Sequence, residues 1–189
     1  SNPLVKLVAL TGSTETGKEF IKASAHTVKR LMLELGGHSP FIVFADADWE
    51  RAVKDGVKRA FRNTGQICNS VNRIFVEKSI YDQFVKNFVE GTKKLSIGDP
   101  FEDPAPDCGP MVNQAGINRM EEFIKDALAH GGRVECGGKR PEGAKFSKGY
   151  YFEPTVLTNV NPNMKIMTDE PFGPIVAIDS FSSAEEAII

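Results

Sequence analysis

Residues 40–76 read PFIVFADADWERAVKDGVKRAFRNTGQICNSVNRIFV, and this stretch decides the fold. Pro40-Phe41-Ile42-Val43-Phe44 is a short apolar run of the kind found in buried strands. Asp46-Ala47-Asp48 then supplies side chains able to cap a helix. Trp49, Ala52, Val53, Gly56, Val57, Ala60 and Phe61 follow at offsets 0, 3, 4, 7, 8, 11 and 12, which wind into one apolar stripe. Helical spacing stops at Asn63-Thr64-Gly65-Gln66, Cys68 comes directly after, and Arg73-Ile74-Phe75-Val76 resumes as a strand. Strand, helix, strand is the unit of an α/β sheet.

The same alternation continues in both directions. Upstream, residues 4–11 read as a strand, Gly12–Gly17 as a turn, residues 18–26 as a helix, and Arg30–Leu35 as a second strand ending at Gly36-Gly37. Downstream, Tyr81, Phe84, Val85, Phe88 and Val89 mark one amphipathic helix. Ile117, Met120, Phe123, Ile124, Ala127 and Leu128 mark another, beyond a Pro/Gly/Asp-rich loop at 98–110. His130-Gly131-Gly132 ends that helix with glycines where a C-terminal cap needs them. Strands are expected at 133–136, 151–157 and 174–179. The pattern predicts an open sheet with helices on both faces.

Composition narrows the function classes. The 189 residues carry 23 basic and 25 acidic side chains, a net charge of −2, so neither nucleic acid nor an anionic membrane surface is an expected partner. No apolar run approaches the length that spans a bilayer, and Ser1-Asn2-Pro3 does not open a signal peptide. Cys68, Cys108 and Cys136 are odd in number and far apart, which suits a reducing cytoplasm and excludes a fully paired disulfide framework. No metal-ligand spacing joins them to His26, His38 or His130, so no metal site is expected. Ser182-Ser183-Ala184-Glu185 starts a helix just before the sequence stops, and the chain reads as a piece of a longer protein.

Four segments carry candidate chemistry. A lone cysteine is by default a small buried hydrophobe. Cys68, however, lies among Asn63-Thr64-Gly65-Gln66-Ile67 and Asn69-Ser70, a small, polar, Gly-containing loop suited to an accessible thiol and to backbone N–H groups that face an oxyanion. Glu34 is either an exposed strand-end carboxylate or a base at the carboxyl end of a strand, where open α/β sheets place their ligands. Gly12-Ser13-Thr14-Glu15-Thr16-Gly17-Lys18 matches the first seven positions of a phosphate-binding GxxxxGK[ST] loop. Glu19 stands where that loop needs a magnesium-ligating hydroxyl, which leaves a helix N-terminus able to face an anion. Glu170-Pro171-Phe172-Gly173-Pro174 is either a tight turn around an aromatic ring or a rigid loop holding Glu170 and Phe172 toward a ligand.

Taken in order, Leu10–Gly17, Leu33-Glu34-Leu35-Gly36-Gly37, Gly65-Gln66-Ile67-Cys68 and Glu170–Pro174 resemble four hallmark segments of the aldehyde dehydrogenase superfamily. The resemblance runs over essentially the whole chain, and the Gly-Gln-Ile-Cys-Asn-Ser-Val-Asn-Arg phrase is most similar to the succinate-semialdehyde and lactaldehyde dehydrogenase branch. It implies NAD or NADP as cofactor, a small aldehyde as substrate, Cys68 as nucleophile and Glu34 as general base. It further implies that Gly12, Ser13, Glu15, Leu35, Glu170 and Phe172 line the cofactor site. Residues 1–35 then correspond to the tail of a Rossmann-like cofactor domain and 36–189 to most of a catalytic domain. Members of that superfamily are more than twice this length and form homodimers or homotetramers, and the resemblance assigns the adenosine contacts and an oxyanion-hole Asn to sequence upstream. Two rival readings stand beside it: a nucleotide-binding loop at Gly12–Lys18, and a catalytically silent truncated domain.

Overall fold

The computed structural model describes residues 2–102 and 104–188; Ser1, Asp103 and Ile189 lie outside the described residues. The chain divides into two compact units, one up to Gly37 and one from His38 onward.

The first unit is β1 (Leu7–Thr11), α1 (Thr14–Ala25) and β2 (Arg30–Glu34). The two strands pair in parallel, with Leu7 opposite Arg30 and Thr11 opposite Glu34. Helix α1 begins at Thr14, inside the segment expected to be a turn, because Ser13 acts as its N-cap and accepts a hydrogen bond from the Thr16 N–H at 3.2 Å. Gly17 therefore sits within the helix, where a Cβ would come 2.7 Å from a Leu35 methyl. Only Gly12 and Ser13 separate strand from helix, too short a connection to wrap a phosphate chain. That finding disposes of the GxxxxGK reading.

The second unit contains β3 (Ser39–Val43), α2 (Trp49–Phe61), β4 (Val71–Glu77), α3 (Tyr81–Lys93), α4 (Gln114–Ala129), β5 (Arg133–Cys136), β6 (Thr155–Thr158), α5 (Lys165–Thr168), β7 (Ile175–Phe181) and α6 (Ala184–Ile188). Its five strands run in the order β3-β4-β7-β6-β5, parallel except for β5, which is antiparallel to β6. Strand alternation distributes side chains to two cores. Ile74 and Val76 of β4, Val156 of β6, and Val176 and Ile178 of β7 join the helices α2 and α3 on one face. Leu157, Ile175 and Ala177 join α4 and α5 on the other, with Phe75 and Val134 packed beside them. Helices thus cover both faces of an open sheet, as the sequence predicts. Phe84, Phe88 and Ile178 are fully buried, and each such side chain contributes about 1.5–3 kcal/mol by leaving water.

Differences from the sequence reading are local. Tyr151 and Phe152 are buried but precede β6 rather than belong to it, since Glu153-Pro154 interrupts the pairing that starts at Thr155. The short helix α5, not expected from the sequence, is anchored by Asp126 of α4, which accepts the Lys165 N–H at 2.8 Å. Helix α6 is capped one residue later than expected, by Ser183 accepting from Glu186 N–H while Glu186 accepts from Ser182 N–H.

Candidate active site

In the first unit the expected residues gather at the carboxyl ends of two parallel strands. Gly12 N–H donates to Glu34 O at 3.0 Å, so the α1 N-terminus and Glu34 lie side by side. Gly12, Ser13, Glu15 and Glu34 are exposed, and Leu35 is half-buried against Gly17. The helix offers an anion its remaining free N–H groups and the positive end of its dipole, which fits a pyrophosphate.

In the second unit Cys68 lies at the amino end of β4. Chain direction reverses between α2 and β4 through Asn63, Thr64 and Gly65, all three at positive φ (52°, 59° and 69°). A left-handed backbone at a β-branched threonine is costly and persists only where the surroundings fix it. Here they do. The Thr64 hydroxyl donates to Gly109 O at 3.1 Å, and the Gln66 amide donates to Pro110 O at 3.3 Å while its oxygen accepts from Val112 N–H at 3.0 Å. Ser70 N–H closes a turn onto Ile67 O at 3.0 Å, and the Ser70 hydroxyl donates to Ala60 O at 3.1 Å. Cys68 and Asn69 occupy the middle of that turn, and Cys68 is exposed.

The Glu170–Pro174 loop feeds β7, the strand parallel to and next to β4, so both loops emerge at the amino ends of these strands. They meet directly: a Cβ on Gly65 would fall 2.5 Å from the Gly173 carbonyl carbon. Phe172 has φ 50° and is 42% exposed, so the loop does not enclose a buried aromatic ring. Arg119 of α4 donates a hydrogen bond to the Glu170 carbonyl. The structure therefore brings Cys68, Glu170 and Phe172 to neighbouring loops at the amino ends of β4 and β7.

Sequence reasoning missed the residues that hold these loops. Arg73 donates to His38 O at 2.7 Å and to Met167 O at 3.3 Å, with its Nε buried. Burial lowers its affinity for a proton below the ordinary arginine value. His38 is pushed down to about 4, first by burial and then by the Arg73 charge, against an opposing pull from Asp169. Both ring nitrogens of His38 are buried without a hydrogen-bond partner. The other two thiols differ from Cys68: Cys108 is fully buried and pushed up to about 12 by burial, and Cys136 is also raised by burial. Among the described residues no three His, Cys, Asp or Glu side chains cluster as metal ligands would, and no helix is long and apolar enough to cross a membrane.

Comparison with known proteins adds an independent line. The pattern of the aldehyde dehydrogenase family matches residues 1–189. The chain is 42% identical over 188 residues to 3,6-anhydro-alpha-L-galactose dehydrogenase of Vibrio sp. strain EJY3, covering 100% of this chain and 39% of that protein. It is 40% identical over 188 residues to the succinate-semialdehyde dehydrogenase [NADP(+)] GabD of Escherichia coli, covering 100% of this chain and 38% of the relative. The crystal structure of betaine aldehyde dehydrogenase from Staphylococcus aureus in complex with NAD+ superposes with a TM-score of 0.95 at 38% identity, over 100% of this chain and 37% of that one. The chain thus spans well under half the length of these relatives. With the pattern matched from end to end and the fold shared, the chain belongs to the aldehyde dehydrogenase family.

Proposed function

We propose that the protein containing this chain oxidises an aldehyde to a carboxylic acid with NAD or NADP, using Cys68 as nucleophile and Glu34 as general base. The observation that carries the reading is the exposed Cys68 thiol, held on a turn whose supporting loop docks against Glu170–Pro174. The Cys68 thiolate attacks the aldehyde carbon, forming a C–S bond and a thiohemiacetal oxyanion. Bound NAD(P) supplies the acceptor for the hydride that leaves this carbon. The acyl group then remains on Cys68 Sγ as a thioester. Glu34 takes a proton from the water that attacks this thioester, and collapse expels the Cys68 thiolate with release of the acid. Gly12, Ser13 and Glu15 at the α1 N-terminus, together with Leu35, serve the cofactor. Glu170 and Phe172 hold its reactive end.

In this reading residues 1–35 are the tail of the cofactor domain and 36–189 belong to the catalytic domain. Relatives named as succinate-semialdehyde dehydrogenases make succinate semialdehyde the first substrate to assay. Three free cysteines support a reducing cytoplasm, and the family resemblance supports a homodimer or homotetramer.

The test uses the full-length protein in stopped flow. Glu34→Gln keeps the thiol, so a single burst of NAD(P)H is expected without sustained turnover. Cys68→Ser removes both steps. Full steady-state turnover in Glu34→Gln would exclude it as the base, and a burst in Cys68→Ser would exclude the nucleophile.

A further inference from the structure

Glu170 and Phe172 sit on a loop with no regular hydrogen-bonded partner strand, yet a residue that orients a ligand must be held to a fraction of an ångström. Two arginines hold this loop and the helix that leads into it, from the α4 and α5 face of the sheet. Arg73, on β4 five residues after Cys68, shares strand parity with Phe75, whose side chain packs on that face. Its guanidinium spans two backbone carbonyls, those of His38 at 2.7 Å and Met167 at 3.3 Å. Met167 lies in α5, three residues before Glu170. Arg119, from the first half of α4, donates to the Glu170 carbonyl itself and stacks over Phe123 at 5.6 Å. Both guanidinium groups donate to main-chain oxygens.

We propose that Arg73 and Arg119 are positioning residues that clamp the carbonyls of Met167 and Glu170 and so fix the Asp169–Gly173 loop beside the Cys68 turn. The planar fork explains the residue type at Arg73. One guanidinium satisfies two carbonyls on different elements, whereas a lysine ammonium is a single point on a flexible stem. The clamp also ties the residue before β3 and the start of β4 to the segment that leads into β7. The consequence for cofactor binding rests on the functional reading above.

The experiment takes the full-length protein and compares Arg73→Lys and Arg119→Gln with wild type by amide hydrogen exchange, without cofactor. Loss of a hydrogen bond to a charged group is expected to speed exchange in the peptide covering 167–174 by roughly tenfold or more, with α2 and α3 unchanged. Equal acceleration in every peptide would mean that the arginines merely stabilise the fold, and no acceleration at 167–174 would mean that they hold nothing. Either outcome overturns the clamp. Because this readout needs no turnover, it is independent of whether the aldehyde-oxidation reading survives. Steady-state kinetics add the second arm: KM for NAD(P) should rise about tenfold while Cys68 alkylation by iodoacetamide keeps its wild-type rate. An unchanged cofactor KM in an active enzyme whose loop has loosened removes the positioning role.

Discussion

At the scale of single residues, three cysteines in one chain have three different fates, and environment sets each. Cys108 is buried, with burial pushing its thiol up to about 12; Cys136 is half-buried and also raised; Cys68 is exposed on a turn. Thiolate fraction and access both control alkylation. Brief iodoacetamide treatment followed by peptide mapping should therefore label Cys68 first, and labelling of Cys108 or Cys136 at an equal rate would contradict the open turn. Gly65 offers a second test. Its φ of 69° disfavours any Cβ, and the Gly173 backbone occupies the space the Cβ would need. Gly65→Ala should cost about 2–5 kcal/mol, combining a left-handed alanine with overpacking against main chain, read as a lowered urea midpoint. The glycine is plain in the sequence; its contact, 108 residues away, is visible only in the fold.

Between elements, the junction of β3, β4 and α5 is where polar groups are buried with least compensation. His38 opens the second unit just before β3 and faces the charges of Arg73 and Asp169. Its folded value of about 4 lies below the ordinary 6.5, so between those pH values the unfolded chain binds a proton that the folded chain does not. The contribution of His38 to stability is therefore full above pH 6.5 and falls as pH drops toward 4, with a limiting slope of about 1.4 kcal/mol per pH unit before solvent screening. Denaturant unfolding of the wild type should weaken over this window by more than that of His38→Asn, which lacks the titrating group at this position. Parallel curves for the two proteins would mean that His38 is solvated. Helix α2 was readable residue by residue because its stripe and its Asp48 cap are local. Helix α5 was not, since four residues hold too little periodicity and its anchor, Asp126, is on another helix.

For the whole molecule, the two units differ in how much they bury. The first has two strands and leaves Leu4, Val28 and Met32 exposed at 83%, 88% and 60%, whereas the second has two cores on the two faces of a five-stranded sheet. A two-stranded sheet is marginal in water without further packing. The 189-residue chain spans 37–39% of the relatives described above, and hydride transfer depends on geometry that can account for roughly 7–11 kcal/mol of a barrier. Assayed alone, the chain should form no NAD(P)H from succinate semialdehyde or other aldehydes, while Cys68 still reacts with iodoacetamide. Sustained turnover by the isolated chain would show that it holds a complete site.

What the sequence determined by itself was whatever depends on near neighbours: the alternation of strands and helices, the cap at Asp48, and the four short segments that mark the family. Helical and strand periods, turn residues and capping side chains act over a few positions, so one sequence is enough to read them. Tertiary structure decided which distant segments share an edge. The strand-end rule that drew attention to Glu34 looks toward carboxyl ends, but Cys68 and the Glu170 loop lie at the amino ends of β4 and β7, which neighbour each other only because β7 inserts between β4 and β6. Strand order, the docking of Gly65 on Gly173 and the reach of Arg73 to Met167 all arise from long-range packing, where burial and hydrogen bonding of groups far apart in the chain outweigh any local preference.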